Sequence, residues 1–406
     1  LKMDRSKLKS DYCTSSAAQA FEDLVSHIKA KYILLSYNNM ATKGNDRSNA
    51  KISDADIMRI LSRKGRVKVF SESYRAFSAG KSNITGNEER LFLCECYDYK
   101  QKELIQSPLN YTGGKYKLLP QILPHFPQDI DRFVDLFCGG GNVGINVPCN
   151  RVVFNDNNEL LRYMFGTFKN LDKQVTFETI DAIIEKYGLS DTEKCGYDFY
   201  GCNSAEGLAS YNSSRYLKLR DDFNHHTNLE YNYYVTLYVL IVYAFNNQIR
   251  FNRKGEFNLP VGKRDFNKKM REKLSAFIDR LKSGDYSFAS HDFRELPTDD
   301  WNENTFVYAD PPYLITCATY NEQDGWNETL EKELLTYLDN LNERGIRFAL
   351  SNVLHSKGKE NKLLLDWIDR NVDRYRVIYL DYNYANSNYQ TKDKTSKAEE
   401  VLIVNY

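Results

Sequence analysis

The strongest constraint in this sequence is the stretch Asp310-Pro311-Pro312-Tyr313, which directly follows the apolar run Phe306-Val307-Tyr308-Ala309. A short apolar run that stops at two prolines predicts a buried strand, because proline cannot extend a hydrogen-bonded ladder. Open α/β sheets bind their ligands at the carboxyl ends of their strands, so Asp310 is expected beside a ligand. Taken alone, the same pattern is typical of a strand that ends in a proline turn with a capping aspartate.

The chemistry of this stretch is that of hydrogen-bond acceptors beside an aromatic ring. The carboxylate of Asp310 accepts hydrogen bonds, and the two prolines lack N–H groups, which leaves nearby carbonyls free to accept as well. Tyr313 adds a ring on which a flat ligand can stack. Such a cluster suits a flat ring that carries an exocyclic amine.

Two glycine-rich segments lie upstream. Tyr111-Thr112-Gly113-Gly114-Lys115 precedes a helical pattern, and glycines before a helix allow the backbone to approach an anionic ligand, with Lys115 as an added cation. The second segment begins with the strand-like run 133–137 and continues as Cys138-Gly139-Gly140-Gly141-Asn142-Val143-Gly144. This pattern predicts the strand, glycine loop and helix with which nucleotide-binding folds begin.

An acidic residue follows the next predicted strand. Val152-Val153-Phe154 is expected to be a strand, and it ends at Asn155-Asp156-Asn157. An acid at the end of the second strand is where such folds bind a ribose diol. Glycine turns are common by themselves, but their order with this acid and with Asp310 is specific.

These four segments, in this order, resemble those of the Dam-like, D12 family of adenine-specific DNA N6-methyltransferases. The resemblance covers roughly residues 105–406. It implies an α/β fold with a Rossmann-like sheet that binds S-adenosyl-L-methionine, and it implies double-stranded DNA as the partner. We expect the catalytic domain at residues 104–170 and 286–406, and a target-recognition insertion with helices and a hairpin at residues 171–285.

The resemblance also implies roles for individual residues. The catalytic residues would be Asp310, Pro311, Pro312 and Tyr313: Asp310 and the Pro311 carbonyl would accept the hydrogens of adenine N6, and Tyr313 would stack on the flipped base. Tyr111 would pack near the cofactor, Lys115 would pair with its carboxylate, and Asp156 would hold its ribose. The expected cofactor-binding residues are Tyr111, Gly114, Lys115, Asp135, Phe137, Gly139, Gly141, Asp156, Asn157, Asp292 and Phe293. No metal is required by this chemistry.

A polar and basic segment at residues 246–258 predicts a hairpin with a Lys-Gly turn. Its expected DNA-binding residues are Asn247, Arg250, Asn252, Arg253 and Lys254. Further cations follow at Lys263, Arg264, Lys268, Lys269 and Arg271. Such charges usually lie on a solvated surface, but beside a methyltransferase core we expect them to contact DNA phosphates.

The first hundred residues echo the end of the chain. Both regions predict the order helix, strand, helix, strand, strand; "KYILLSYNN" resembles "IRFALSNV", and "EERLFLCECY" resembles "EEVLIVNY". We interpret residues 1–103 as an α/β half-domain that is a partial copy of an upstream methyltransferase domain, as in the fused double methyltransferases of type IIS restriction-modification systems. Chance similarity between two αβ units is the alternative. The first copy lacks the Asp-Pro-Pro-Tyr strand that should precede it, so the repeat predicts a longer parent chain that contains the rest of this copy.

The amino-acid composition excludes few classes of function. Lys and Arg total 55, as do Asp and Glu, so no net charge indicates a polyanionic partner, although a local basic face is enough for DNA binding. The eight cysteines show no paired metal-ligand spacing and are typical of reduced thiols in the cytoplasm. No apolar run approaches about 18 residues, so no membrane contact is predicted.

Several functions remain open at this point. Methylation of cytosine N4 or of RNA adenine needs the same acceptor cluster, and a catalytically inactive DNA-binding module would keep the same fold. A cysteine nucleophile for cytosine C5 would be expected as Pro-Cys after a strand, and the sequence contains none.

Overall fold

A computed structural model describes residues 10, 12, 14–28, 30–38, 52–62, 64–73, 88–96, 104–111, 113–203, 205–225, 230–316, 325–381 and 398–406. Within these ranges the α-helices are α1 Ala17–His27, α2 Asp54–Ser62, α3 Leu119–Ile122, α4 Glu159–Asn170, α5 Lys173–Tyr187, α6 Thr192–Cys195, α7 Ala209–Asn224, α8 Tyr231–Tyr243, α9 Lys268–Ser283, α10 Glu328–Glu343 and α11 Lys362–Arg370. The strands are β1 Tyr32–Asn38, β2 Gly65–Ser73, β3 Glu88–Cys96, β4 Arg132–Asp135, β5 Arg151–Asn155, β6 Asp285–Ala289, β7 Thr305–Ala309, β8 Arg347–Ser356, β9 Lys359–Glu360, β10 Arg376–Leu380 and β11 Glu399–Val404.

The larger sheet contains the predicted strand before Asp310 near its centre. Seven strands run across it in the order β10-β11-β8-β7-β4-β5-β6, and the two-residue β9 pairs with β8. The strands from β8 to β6 are parallel, whereas β11 and β10 are antiparallel to their neighbours. The predicted α/β fold is confirmed.

The chain order reverses at the centre of this sheet. Strand β4 pairs with β5 on one side and with β7 on the other. In open parallel sheets such a switch point opens a crevice beyond the carboxyl ends of the two strands. The glycine loop follows β4 and Asp310 follows β7, so the two segments meet at this crevice.

Both faces of the central strands are buried, as expected for a parallel sheet covered by helices. Along β7, Phe306 and Tyr308 belong to one core cluster with α4, α8 and α9. Val307 and Ala309 belong to a second cluster with α10 and α11. The apolar run therefore has no polar face, which explains why its sequence shows no alternation.

The prediction of a helix directly after the glycine loop is wrong. Between β4 and β5 the chain forms only a short 3₁₀ turn at Gly144–Asn146. Pro148 follows within two residues, and β5 begins at Arg151. Proline has no N–H group to continue a helical ladder, and the remaining linker is too short for a helix that crosses the sheet.

The predicted insertion shares a core with the sheet. Helices α5, α7 and α8 contact one another, and α8 packs on α4. The last helix of the predicted insertion, α9, contacts α4 and β6 and so covers the sheet itself. Residue 285, where the insertion is predicted to end, is the first residue of β6.

The N-terminal unit is a three-stranded antiparallel sheet in the order β1-β3-β2. Helices α1 and α2 cover one face, where they enclose Ile33, Phe92 and Cys94 in a separate core cluster. Helix α2 also contacts the edge strand β10 of the larger sheet. The boundary predicted at residue 103 lies outside the described residues.

This small sheet has the strand order and the register of β8-β11-β10. Ser36 pairs with Leu91, as Ser351 pairs with Leu402. On the other side of the middle strand, Leu91 pairs with Phe70, as Leu402 pairs with Ile378. Each set of three strands is accompanied by two helices in the same chain positions. The likeness seen in the sequence therefore extends to the pairing of individual residues.

The two units differ in what covers their second face. In the larger sheet, Ala349, Ile378 and Leu402 are at most 3% exposed. The residues at the matching positions of the N-terminal unit are exposed apolar side chains: Leu34 at 60%, Phe70 at 55% and Leu91 at 37%. In the larger sheet, α3 lies beside this face, and Gln121 exchanges two hydrogen bonds with the backbone of Asp381 just after β10.

This difference predicts that matched substitutions in the two sheets change stability by unequal amounts. Ile378→Ala should lower the free energy of unfolding by about 2–5 kcal/mol, because it leaves a cavity in a closed core. Phe70→Ala should change it by about 0.5 kcal/mol or less, as surface substitutions usually do. Urea titration of both variants, followed by circular dichroism, measures the difference. Equal losses would mean that Phe70 is covered in solution.

Candidate active site

Asp310 begins directly after the end of β7, and one of its carboxylate oxygens is held by two other side chains. The Lys115 Nζ lies 2.9 Å from Asp310 Oδ1. The Tyr313 hydroxyl donates to the same oxygen at 3.0 Å. No partner for Asp310 Oδ2 is found in the described parts of the chain. One oxygen is thus fixed by the protein, while the side chain keeps 17% of its surface exposed.

A second carboxylate, from Glu400, lies in this cluster. Its Oε1 lies 3.0 Å from the same Tyr313 hydroxyl, whose single hydrogen it shares with Asp310 Oδ1, and 3.6 Å from Lys115 Nζ. A register shift between Glu399 and Glu400 accompanies this arrangement, and bulges of this kind redirect side chains near functional sites. Glu399 is bonded to His355 instead.

Burial and neighbouring charges act in opposite directions on Asp310. Burial raises the pKa of Asp310, the charge of Lys115 lowers it, and the charge of Glu400 raises it again; the pKa ends above its ordinary value. Burial lowers the pKa of Lys115, but the charges of Asp310 and Glu400 outweigh this effect and raise it. The ammonium group therefore stays charged.

The structure places two predicted residues, Lys115 and Tyr313, in unexpected surroundings. Lys115 faces Asp310 and Glu400, and whether it also reaches a ligand carboxylate remains a prediction. The Tyr313 ring is buried, with Lys115 Nζ 4.9 Å from its centroid. Its predicted stacking on a target base is likewise a prediction. Pro311 is buried and Pro312 is exposed beside them.

The glycine loop is packed against Tyr111. Gly139 has a φ of +47°, and a Cβ placed on it would lie 2.7 Å from the Tyr111 ring. Any larger residue would both strain the backbone and displace the ring. Gly141 also has a positive φ, and Gly114 donates its N–H to the Tyr111 carbonyl at 3.1 Å. Thr112 of this segment lies outside the described residues.

Two more acids, Asp135 and Asp156, accept hydrogen bonds from backbone N–H groups of the glycine loop. Asp135 Oδ2 accepts the Gly144 N–H at 3.0 Å, and burial raises the pKa of Asp135 to about 8. Asp156 accepts the Gly139 N–H at 2.9 Å and the Asn158 N–H at 3.0 Å. Burial also raises the pKa of Asp156, although these two N–H groups lower it. Asn157 is exposed beside it.

Aromatic rings form a wall on the other side of the loop. The centroids of Phe137 and Phe293 are 5.7 Å apart, so the structure brings these two predicted residues together. Trp326 lies 5.7 Å from Phe137 and 6.0 Å from Phe293. Its indole N–H donates to the buried Glu331 at 2.5 Å, which fixes the ring. Asp292 is held by Arg294, whose hydrogen bond lowers the pKa of Asp292.

The predicted hairpin is present and lies beside the glycine segment. Phe251 pairs with Phe257, and Arg253 and Lys254 are exposed at its tip. The other predicted DNA-binding residues have internal partners. Asn252 accepts the backbone N–H groups of the turn, Arg250 donates to Asn258, and Asn247 donates to the end of α8. Asn110 donates to the Asn246 carbonyl at 2.9 Å and so ties the hairpin to the site.

Arg271 does not belong to the expected basic surface. Its guanidinium forms ion pairs with Asp181, Asp191 and Glu193 at 2.6, 3.4 and 2.7 Å. The three carboxylates more than neutralise the positive charge of Arg271, so it adds no basic surface for DNA. This arginine therefore joins α9 to α5 and α6.

Sequence reasoning missed Glu400, Trp326 and Asn155. Asn155 ties the ends of β4 and β5 to the loop before Phe293, through hydrogen bonds to Leu136 and His291. An acid directly before the apolar run 401–404 is an unusual start for a buried strand and could have drawn attention to Glu400. Nothing in the sequence around Trp326 indicates its position.

Within the described ranges, no cluster of three or more His, Cys, Asp or Glu side chains could hold a metal ion. None of the helices in these ranges is long and apolar enough to cross a membrane.

The fold and the site together define a doubly wound α/β protein with a nucleotide-type glycine loop beside an acidic acceptor site. The family model of the D12 class N6 adenine-specific DNA methyltransferases matches residues 111–392. The chain therefore belongs to this family, which confirms the resemblance seen in the sequence.

Individual relatives of this chain are also named as methylases or methyltransferases. Over 99% of this chain the sequence is 38% identical to Modification methylase StsI of Streptococcus sanguinis, and over 98% it is 34% identical to Type II methyltransferase M.FokI of Planomicrobium okeanokoites. The chain covers 60% of the length of each of these two relatives. The DNA adenine methylase of Escherichia coli K12 is 27% identical over 64% of this chain and 84% of its own length.

The buried Asp135 predicts a pH-dependent stability. With a pKa of about 8 it keeps a proton in the folded state that the unfolded chain releases near its ordinary value of 3.8. The parent should therefore lose stability relative to Asp135→Asn as the pH rises from 5 to 8, and the difference should level off above 8. Melting temperatures of the parent and of Asp135→Asn, recorded across this pH range, measure the difference in stability.

The control for this measurement is Asp129→Asn. The hydrogen bond from Arg347 lowers the pKa of the exposed Asp129, so both folded and unfolded chains are ionised there between pH 5 and 8. Its difference from the parent should be constant over that range. A constant difference for Asp135→Asn as well would contradict a protonated Asp135.

Proposed function

We propose that this chain transfers a methyl group from S-adenosyl-L-methionine to N6 of adenine in double-stranded DNA. The observation that carries the proposal is the state of Asp310 at the switch point. Lys115 and Tyr313 hold one of its oxygens, and the other is available to an amine. Membership of the D12 family supports adenine as the base.

The residues around the glycine loop fit the cofactor. A nucleoside needs a close backbone approach, an acid for its ribose and an apolar wall for its base. Gly139 and Gly141, which have positive φ, allow the close backbone approach. Asp156 is the acid for the ribose, and Phe137 with Phe293 forms the apolar wall for the base. Trp326 adds a further ring to this wall.

S-adenosyl-L-methionine supplies an activated methyl group when it is bound. The adenine N6 lone pair is delocalised into the ring, which makes the amine a poor nucleophile. Asp310 Oδ2 accepts one N6 hydrogen and the Pro311 carbonyl accepts the other, so that the nitrogen becomes more tetrahedral and its lone pair points out of the ring plane. The carboxylate also complements the positive charge that develops on the nitrogen as the methyl group would leave the donor sulfur, which becomes the neutral thioether of S-adenosyl-L-homocysteine. The extra N6 proton would then be lost through the hydrogen bond to Asp310.

The hairpin at residues 246–258 is proposed to contact the DNA. Its tip presents Arg253 and Lys254 to solvent, and its base is joined to the site through Asn110. The target adenine must leave the duplex to reach Asp310. A cationic hairpin beside the site would hold the phosphates that flank it.

The biological role proposed is protection of DNA in a bacterial restriction-modification system, in the cytoplasm. The names of the two relatives that match nearly the whole chain, a modification methylase and a type II methyltransferase, support this role.

Residues 1–103 are proposed to be a partial copy of an upstream methyltransferase domain. The matched registers support this, and Glu89 occupies the register position of Glu400. The missing part of that copy, in a longer parent chain, would cover the exposed face around Leu34 and Phe70. A parent chain with an Asp-Pro-Pro-Tyr strand before residue 1 would support this proposal, and one without it would contradict it.

Transfer of labelled methyl to duplex DNA, followed by nucleoside analysis, tests the activity. The parent should form N6-methyladenine, and Asp310→Ala should reduce the rate by about 10³-fold or more, because it removes a preorganised acceptor. Asp129→Asn, which removes an exposed carboxylate that pairs with Arg347 away from the site, serves as the control. N4-methylcytosine as the product would move the protein to the cytosine class, and methylation of RNA alone would exclude DNA as the substrate. Cofactor binding without any transfer would leave only a binding module.

The hairpin proposal predicts a change in salt dependence. Arg253→Gln with Lys254→Gln should weaken DNA binding and reduce the slope of log affinity against log salt by about 2, since each phosphate contact contributes about 0.9. The control pair Arg370→Gln and Arg374→Gln removes two exposed cations at the opposite end of the sheet. Fluorescence anisotropy at several salt concentrations measures both. Equal slopes for both pairs would contradict contact by the hairpin.

A further inference from the structure

Glu400 is a buried carboxylate that the reaction proposed above does not use. Its side chain is fully buried at the start of β11, within a strand whose following residues are all apolar. Isolated buried charges are costly, so a buried carboxylate of this kind is retained only with charged or hydrogen-bonding partners. Its described partners are Lys115 and Tyr313, the two groups that hold Asp310.

The charge count around Asp310 shows what Glu400 changes. Lys115 contributes one positive charge, and Asp310 and Glu400 contribute two negative charges. With Asp310 alone, the ammonium group would cancel the charge of the carboxylate that faces the substrate. With Glu400 present, the three described charged groups Lys115, Asp310 and Glu400 together carry one net negative charge, in surroundings from which water is largely excluded.

The hydrogen bonds of Tyr313 and Lys115 also link Glu400 to Asp310. The Tyr313 hydroxyl has one hydrogen and lies 3.0 Å from both Asp310 Oδ1 and Glu400 Oε1. The Lys115 ammonium also lies between the two carboxylates. Glu400 therefore shares both donors with Asp310, and both contact Asp310 through Oδ1.

We propose that Glu400 is a positioning residue for methyl transfer: it balances the charge of Lys115 and holds Lys115 and Tyr313 on one oxygen of Asp310. Asp310 thereby retains a net negative charge at the oxygen that accepts the amine hydrogen. This charge attracts a cationic methyl donor and complements the charge that develops on the amine nitrogen. The proposal rests on the proposed function.

The groups that face Asp310 determine its pH response. Among the described residues they are Lys115 from the segment before α3, Glu400 from β11, Tyr313 from its own loop, Tyr308 from β7 and Asp135 from β4. Glu400 is one of the charges that raise the pKa of Asp310. Removing that charge should therefore shift the acid limb of the rate profile to lower pH, while the rate itself falls.

Glu400→Gln tests the proposal, because the amide has nearly the same shape and has lost only the charge. We expect kcat to fall by about tenfold to a hundredfold, with the acid limb displaced to lower pH. Glu400→Asp keeps the charge and should keep the acid limb in place, even where its shorter side chain lowers the rate. Glu399→Gln is the matched control, since the adjacent side chain binds His355 outside the cluster.

A binding measurement separates this proposal from the activity. Calorimetry with S-adenosyl-L-methionine, which carries a positive sulfonium, and with the neutral S-adenosyl-L-homocysteine should show that Glu400→Gln weakens the cationic ligand several-fold more than the neutral one. A parent that binds both ligands without transferring methyl would refute the activity, and this ratio alone would then decide the role of Glu400. Equal behaviour of Glu400→Gln and Glu399→Gln in rate, acid limb and ligand ratio would overturn the proposal, as would a parent that binds neither ligand.

Discussion

The buried ion pair between Lys115 and Asp310 is the interaction on which the rest of the site depends. Two opposite charges removed from water are stable only when their geometry is close and their remaining hydrogen-bonding capacity is used. The pair therefore requires the glycine segment, the end of β7 and the start of β11 to meet at one point. The switch point between β4 and β7 provides that meeting place, because both strands direct their following loops into the same crevice.

Around this pair, direct packing and hydrogen bonds between protein groups hold the site in place. Tyr111 packs on Gly139, Asp135 and Asp156 hold the glycine loop by its N–H groups, and Glu331 fixes Trp326 against the aromatic wall. A preorganised site of this kind needs little rearrangement when charge develops in it. The cost is a set of buried acids whose pKa values are raised by desolvation.

The sequence predicted the elements near the site well and their contacts poorly. The strands before Asp310 and Asp156 and the glycine loop were correct, because apolar runs and glycines act locally. The helix after Gly144 was wrong, because the pattern did not weigh the short linker before Pro148. Arg271 was counted as a surface cation, whereas its three carboxylate partners come from α5 and from the segment around α6. Glu400 was missed, because its partner Lys115 lies 285 positions away in the chain.

By itself, the sequence determined the chemical types at the crevice, the family to which the chain belongs and the repeated order of strands and helices in its two ends. These follow from local patterns and from residue order. Only the tertiary structure decided that Lys115 faces Asp310 and Glu400, that the repeat preserves the register of three strands, and that one copy of the repeated face is covered while the other is exposed. Long-range packing sets which charges share a buried space and which apolar faces meet water, and no local pattern carries that information.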